Sequence, residues 1–445
     1  MEHRKRLVTL AYPVYFELLS GVAAGIVNMV WVARLGGPSV AAVAVATGME
    51  NLLLGVVLMA GTGTTVLVAR ARGAADPAGI RAAMRGGWAL CAVLVPPVAV
   101  GGLMLREPLA RLALGGGSGS DTASTLAAGY FAISLPGTAV LFAAHVLDGI
   151  LKGAGDTRTP MRLAFLANGL ILVLDPLLID RYGIRGAAVA TVLGRSAALA
   201  AGLVALRRNA LLRAARGTPC PRPVGDCLRA TARTGLPMAA DFVVRMTGAF
   251  VLITVVARLG VTAVAAYGIA TKSMYIATMA FYAVRQAASI HTAHLLGAGK
   301  DARRAVGRQA LLLSGALGAG AALALLALAP TAMRVFGADE EVVEAGALFL
   351  RCAGPYLVLL SCCIAIGGVF EGSGGGPRLL HVTVAGTLVQ LPLAYVLSGF
   401  GLPGVCLAMA LAAGVQCAAL VWLFRRTAPD GAVPQEPCNS LSRTG

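Results

Sequence analysis

The sequence predicts an all-α polytopic membrane protein: twelve transmembrane helices in two six-helix lobes, related by a pseudo-two-fold axis along the membrane normal. Three observations predict it. The composition is strongly apolar, twelve apolar segments reach spanning length, and the second half of the chain repeats the first.

Of the 445 residues, 58% are hydrophobic and 13% charged, and mean hydropathy is +0.79. Soluble chains run about 45–50% apolar and about 25% charged. The balance excludes an ordinary soluble enzyme, a disordered chain and a fibrous protein. Net charge is +17, from 37 Lys plus Arg against 20 Asp plus Glu. In a soluble domain this would suggest nucleic acid. In so apolar a chain it reads as the Lys and Arg excess of cytoplasmic loops, and no nucleic-acid partner is expected. The nine Cys form no CxxC and no His/Cys cluster at zinc spacing. Most, including Cys91, Cys352, Cys362, Cys363, Cys406 and Cys417, lie in apolar runs and read as inert buried thiols. His145, His291 and His294 are too few and too scattered for a metal site. No metal and no cofactor are expected.

The apolar segments fall at roughly 7–33, 40–69, 83–105, 123–151, 160–180, 184–206, 234–257, 262–290, 305–329, 343–370, 378–398 and 402–424. Runs of this length form spanning helices, because a helix satisfies its own backbone in lipid. The first is too long for a signal-peptide core and reads as a retained helix. The tail, Thr427 to Gly445, is polar and carries three Pro, which suggests disorder. With an inside N-terminus, 25 Lys and Arg fall in loops on one side and 7 on the other. That asymmetry places both termini in the cytoplasm, with the protein in the inner or plasma membrane.

The repeat is the most informative feature. A shift of 224 residues lays Val30–Thr47 on Thr254–Thr271, with ten of eighteen positions identical and Ala-Arg-Leu-Gly in both. The same shift lays Pro13 on Pro237, Glu17 on Asp241 and Gly73 on Gly297. A shift of 219 lays Pro136 on Pro355, Gly149 on Gly368, Gly153 on Gly372 and Gly155 on Gly374. Each half holds six segments, an even number, so both insert in the same sense and the symmetry axis lies along the membrane normal. The expected layout is a lobe at 1–206, a basic cytoplasmic inter-lobe loop at 207–233, a second lobe at 234–426 and a tail at 427–445.

The pattern resembles the MATE family of multidrug and toxic-compound extrusion transporters. Three places carry the resemblance: Val32-Ala33-Arg34-Leu35-Gly36 with Val40-Ala41-Ala42, the turn from Leu147 to Pro160, and Val173-Leu174-Asp175-Pro176-Leu177. It implies two six-helix lobes around a central cleft, and export of small organic molecules by antiport with protons or sodium. The chain departs from the family where ion coupling is usually placed. Asn28 stands at the position of a helix-one acid, and Ile171 at that of a helix-five Asn, with Asn168 two turns before Asp175. Arg245 stands where helix seven often has an acid, and Arg351 to Phe370 holds none. These departures favour a proton over sodium.

Charges on spanning helices are costly unless paired or wetted. Glu17, Glu50, Asp148, Asp175 and Asp241 face Arg195, Arg245, Lys272, Arg285 and Arg351. Many are expected to neutralise one another; Asp241 and Arg245, four apart, can pair along one helix face. Asp175, Glu17 and Asp241 are the proton-coupling candidates. Asp175 matches a family position tied to protonation, and the alternative reading of the Asp175-Pro176 step is a helix break. Asn28, Asn168, Arg245, Lys272 and Arg285 are candidates for the cleft, and the bases leave an anionic substrate open. No GKS/T, GxSxG or HExxH occurs, so no catalysis is expected. The alternatives are a lipid-linked saccharide flippase of the same superfamily, which commonly has fourteen helices, and a membrane-embedded enzyme. The expected partners are a small-molecule substrate and the lipid bilayer, with the protein acting as a monomer.

Overall fold

The computed structural model describes residues 2–114, 120–335 and 339–427, and these are helical throughout apart from short turns. The first half comprises α1 (Glu2–Ala33), α2 (Gly37–Gly73), α3 (Pro77–Met104), α4 (Arg106–Leu114), α5 (Ser120–Gly153), α6 (Arg158–Tyr182) and α7 (Ile184–Arg208). A short α8 (Ala210–Gly217) leads to α9 (Val224–Ala257), α10 (Val261–Gly297) and α11 (Arg303–Arg334). The chain finishes with α12 (Glu340–Cys352), α13 (Gly354–Ser373), α14 (Gly376–Leu397) and α15 (Gly401–Thr427). By length and composition, ten stretches can cross a membrane; one of them, Gly376–Thr427, contains both α14 and α15. With α10, which carries Lys272 and Arg285, the spans number twelve, six in each lobe.

Local sequence sets most boundaries. Pro occupies the first turn of α2, α3, α13 and α14, where its missing N–H costs nothing. Gly36 and Gly260, one repeat apart, precede α2 and α10 with φ of 95° and 105°, backbone that favours glycine. Three expectations are revised. The single segment at 343–370 is two helices, broken at Ala353. Its repeat mate α5 runs unbroken through Pro136, but in the second lobe glycine precedes the proline, and Gly354-Pro355 restarts the chain. The segment 207–233 is not all loop, since it holds α8 and the first turns of α9. The Asp175-Pro176 step does not break its helix, for α6 continues through it to Tyr182. Of the tail, Thr427 ends α15, and the expectation for the rest lies outside the described residues.

The lobes meet at the end of the bundle that carries both chain ends. There His3 of α1 lies 3.0 Å from His291 of α10, Nδ1 to Nε2. A shared apolar cluster joins Leu7, Leu10 and Val14 of α1 and Val66 of α2 to Ala287 and Ile290 of α10. The two-fold relation is visible atom by atom. A Cβ on Gly73 would stand 1.9 Å from the His294 carbonyl oxygen, and one on Gly297 would stand 1.9 Å from that of Arg70. Gly73 and Gly297, and Arg70 and His294, are mates at the same 224-residue shift. Within each lobe the pattern recurs: Gly153 packs on the Thr65 carbonyl and Gly372 on that of Ser289.

Toward the other end the lobes part. Leu52 of α2 and its mate Ile276 of α10 are each 50% exposed, and Gly48 and Gly268 have nothing within contact distance of a Cβ. Lys272 lies eighteen residues before Ile290, five helical turns, and so shares its face. Ile290 is buried in the inter-lobe cluster, whereas Lys272 is exposed. The same face of α10 is thus closed at one end and open at the other. Gly73→Ala combined with Gly297→Ala is expected to part the closed end, each substitution costing about 1–3 kcal/mol in overpacking. Spin-label distances across that end would lengthen; unchanged distances would show that the glycine contact does not hold the lobes together.

Candidate functional site

In the first lobe the polar groups form a seam between α1 and α6. Asn28 Nδ2 donates to Asp175 Oδ2 at 2.8 Å, and Asn168 Nδ2 donates to Ser20 Oγ at 2.8 Å. Asn168 and Asp175 lie two turns apart on α6 and so face α1 together. Asp175 is fully buried, and its Oδ1 has no hydrogen-bond partner. Deeper in the lobe, Lys152 of α5 donates to Glu17 Oε1 at 2.7 Å, while Glu17 Oε2 is buried and unpartnered. Asp148 sits one turn before Lys152 on the same helix. Glu17 and Asn28 are eleven residues apart on α1, roughly 16 Å along its axis. The two carboxylates therefore lie at different depths, Asp175 nearer the open end. A small cavity of about 10 Å³, room for a single water, lies between α2, α5 and α7 and is lined by Glu50, Tyr130, Ser134 and Arg195. The Glu50 and Arg195 charges stand 3.9 Å apart across it.

The second lobe holds a closed ionic cluster at the equivalent depth. Asp241 Oδ2 accepts from Arg245 Nε at 3.1 Å and from Arg285 Nη2 at 3.0 Å, and Asp241 Oδ1 accepts from Thr383 Oγ1 at 2.6 Å. Arg285 Nε also donates to Glu371 Oε1 at 2.7 Å, and a second guanidinium nitrogen reaches the same oxygen. Two acids and two bases are all matched, as a low-dielectric interior demands. Arg245 and Arg285, the cleft candidates of this lobe, both bond within this cluster; Arg285 is 7% exposed. Lys272 forms no ion pair among the described residues and is exposed on α10.

The acid-free reading of the tenth segment is overturned. α13 extends past Phe370 to Ser373 and carries Glu371 into the cluster. The signal was present in the repeat: the 219-residue shift that pairs Gly153 with Gly372 also lays Lys152 on Glu371. The two lobes thus solve one electrostatic problem differently. The first pairs Glu17 with Lys152; the second places an acid at both positions and adds Arg285 where the first has Gly61. Thr383 and Ser20 were not legible, because hydroxyls on apolar helices commonly bond their own backbone. Among the described residues no group of His, Cys, Asp or Glu could hold a metal ion, and the cysteines are free thiols.

A sequence model of the MatE family matches residues 13–177 and 237–396, one stretch in each lobe. A protein of Thermotoga maritima called a probable multidrug resistance protein NorM is 24% identical over 406 residues, covering 89% of this chain and 86% of its own. A protein of Shewanella oneidensis called an FAD transporter is 25% identical over 316 residues, covering 69% and 68%. A solved structure described as the outward-facing conformation of a multidrug resistance MATE family transporter superposes with a TM-score of 0.87 at 23% identity, over 95% of each chain. With both lobes matched and the twelve-helix architecture shared, the chain belongs to the MatE family of membrane transporters.

Proposed function

We propose that this chain exports a small organic molecule in exchange for protons, with Asp175 carrying the proton. It would act as a monomer in the inner or plasma membrane, with the basic end and both termini in the cytoplasm. The observation that supports this reading is the contrast between the buried acids. Asp241 is held by two arginines and a hydroxyl. Asp175 is equally buried, accepts one hydrogen bond and leaves Oδ1 open to receive a proton. A sodium ion wants several oxygen ligands. Beside Asp175 the neighbouring amide presents its N–H₂, a donor that competes with a cation. Glu17, with its unpartnered Oε2, is the second candidate.

The test is uptake into sealed vesicles under imposed gradients, with a panel of cationic and anionic dyes. Dye movement should follow a pH gradient at constant sodium. Movement that follows a sodium gradient at constant pH would overturn proton coupling.

A second reading concerns substrate charge. Lys272 is an exposed base on the cleft wall, and one relative is named for transporting a dinucleotide that carries phosphates. If anionic groups dock there, Lys272→Gln should weaken transport of anionic dyes about fivefold or more while sparing cationic ones, a single charge contact contributing about 1 kcal/mol. Equal effects on both classes would remove Lys272 from substrate selection.

A further inference from the structure

We propose that a pocket between α3, α8 and α9 binds the headgroup phosphate of an anionic phospholipid from the leaflet at the basic end of the bundle. The pocket has a volume of about 660 Å³ and opens broadly on one side. Arg81 and Arg85 of α3 and Arg216 of α8 converge on it, and no carboxylate lines it. All three arginines are half-buried. Three guanidinium groups drawn together without an acid repel one another, and an anion relieves that repulsion. Arginine is also the side chain best shaped for a phosphate's oxygens.

The rest of the lining fits a lipid rather than a free anion. Trp88, Met84 and Val224 form an apolar wall beside the arginines. Tryptophan with arginine at a helix end is the composition of a membrane–water interface. α8 has the form of an interfacial helix. Leu212 and Ala215 are buried in the core cluster with Ile80 and Met84, while Arg213 points outward. The Asn209 side chain caps the helix by accepting from the Leu212 N–H at 3.3 Å. α8 is thereby fixed on α3 with Arg216 over the pocket.

The position gives the site a consequence. α3 belongs to the first lobe, α8 to the connection and α9 to the second lobe. Directly behind the pocket, a Cβ on Gly86 of α3 would stand 2.4 Å from the Cys227 carbonyl oxygen and the Thr231 hydroxyl of α9. There the α3 backbone lies directly against the Cys227 carbonyl and the Thr231 side chain of α9. A lipid seated across Arg81, Arg85, Arg216 and Val224 contacts both lobes and favours the arrangement in which this end is closed.

The experiment is native mass spectrometry of the full chain in detergent, titrated with phosphatidylglycerol, phosphatidylcholine of the same acyl chains, or inorganic phosphate alone. Phosphatidylglycerol should be retained in preference to phosphatidylcholine, and inorganic phosphate should not displace it. Arg81→Gln, Arg85→Gln and Arg216→Gln should each lower phosphatidylglycerol affinity about fivefold, and together about a hundredfold. A control that removes the same charge from exposed Arg213, Arg229 and Arg233 should leave it unchanged. Equal losses in the control and the pocket variants, equal binding of the two lipids, or displacement by inorganic phosphate would each overturn the proposal.

Discussion

Asp175→Asn is expected to leave a folded protein that no longer couples export to a pH gradient. Asparagine has the shape of the protonated acid and keeps an oxygen to accept from Asn28, so the α1–α6 seam survives. The step also removes a buried carboxylate rather than creating an unpaired charge. Folded yield should therefore stay near that of the parent, within about 0.5–1.5 kcal/mol, the worth of an ordinary hydrogen bond. The pH-driven component of dye export should fall to background while dye binding persists. Full export with unchanged pH dependence would make Asp175 structural and pass the role to Glu17.

Arg285→Gln has the opposite profile, a large loss of stability. Arg285 is the partner of Glu371 and one of two arginines on Asp241. Removing it strands the Glu371 carboxylate in the second lobe. Breaking a buried pair from one side costs about 3–5 kcal/mol. Thermal unfolding in detergent should show a large drop in midpoint, with little protein recovered from membranes. Adding Glu371→Gln should restore most of it, since Asp241 keeps Arg245 and Thr383. The repeat suggests a sharper rescue. Arg245→Gly and Arg285→Gly with Glu371→Lys copies the first lobe, where Gly21, Gly61 and Lys152 accompany Glu17. If neither charge-balanced variant recovers stability, charge balance is not what holds the cluster.

The sequence announced the architecture because lipid leaves few choices. Each span must be long, apolar and helical, and the 224- and 219-residue shifts fixed the number of spans per lobe. The Gly73/Gly297 and Gly153/Gly372 pairs reappear as symmetric contacts because a close helix approach admits no side chain, and the Ala-Arg-Leu-Gly stretches reappear as matching turns before α2 and α10. The candidate site was less legible. Asp241 and Arg245 pair as their four-residue spacing suggests, since both lie on one helix. Arg285 and Glu371 come from different helices, and only tertiary packing brings them together. Glu371 also fell just beyond an apolar run, where hydropathy ends a segment but the helix does not. Asn28 stood out as a missing acid, yet its partnership with Asp175 depends on the rotation of α1 against α6, which periodicity does not encode.

In the proposed exchange a proton crosses opposite to the substrate by way of Asp175. The direct measurement is the lumenal pH of proteoliposomes, read with an entrapped dye, on adding substrate outside in sodium-free buffer. Substrate entering through an antiporter drives protons out, so the lumen should turn alkaline with the parent protein and stay constant with Asp175→Asn. An alkaline shift of the same size in both proteins, or a parent that moves substrate only when sodium is present, would contradict the account.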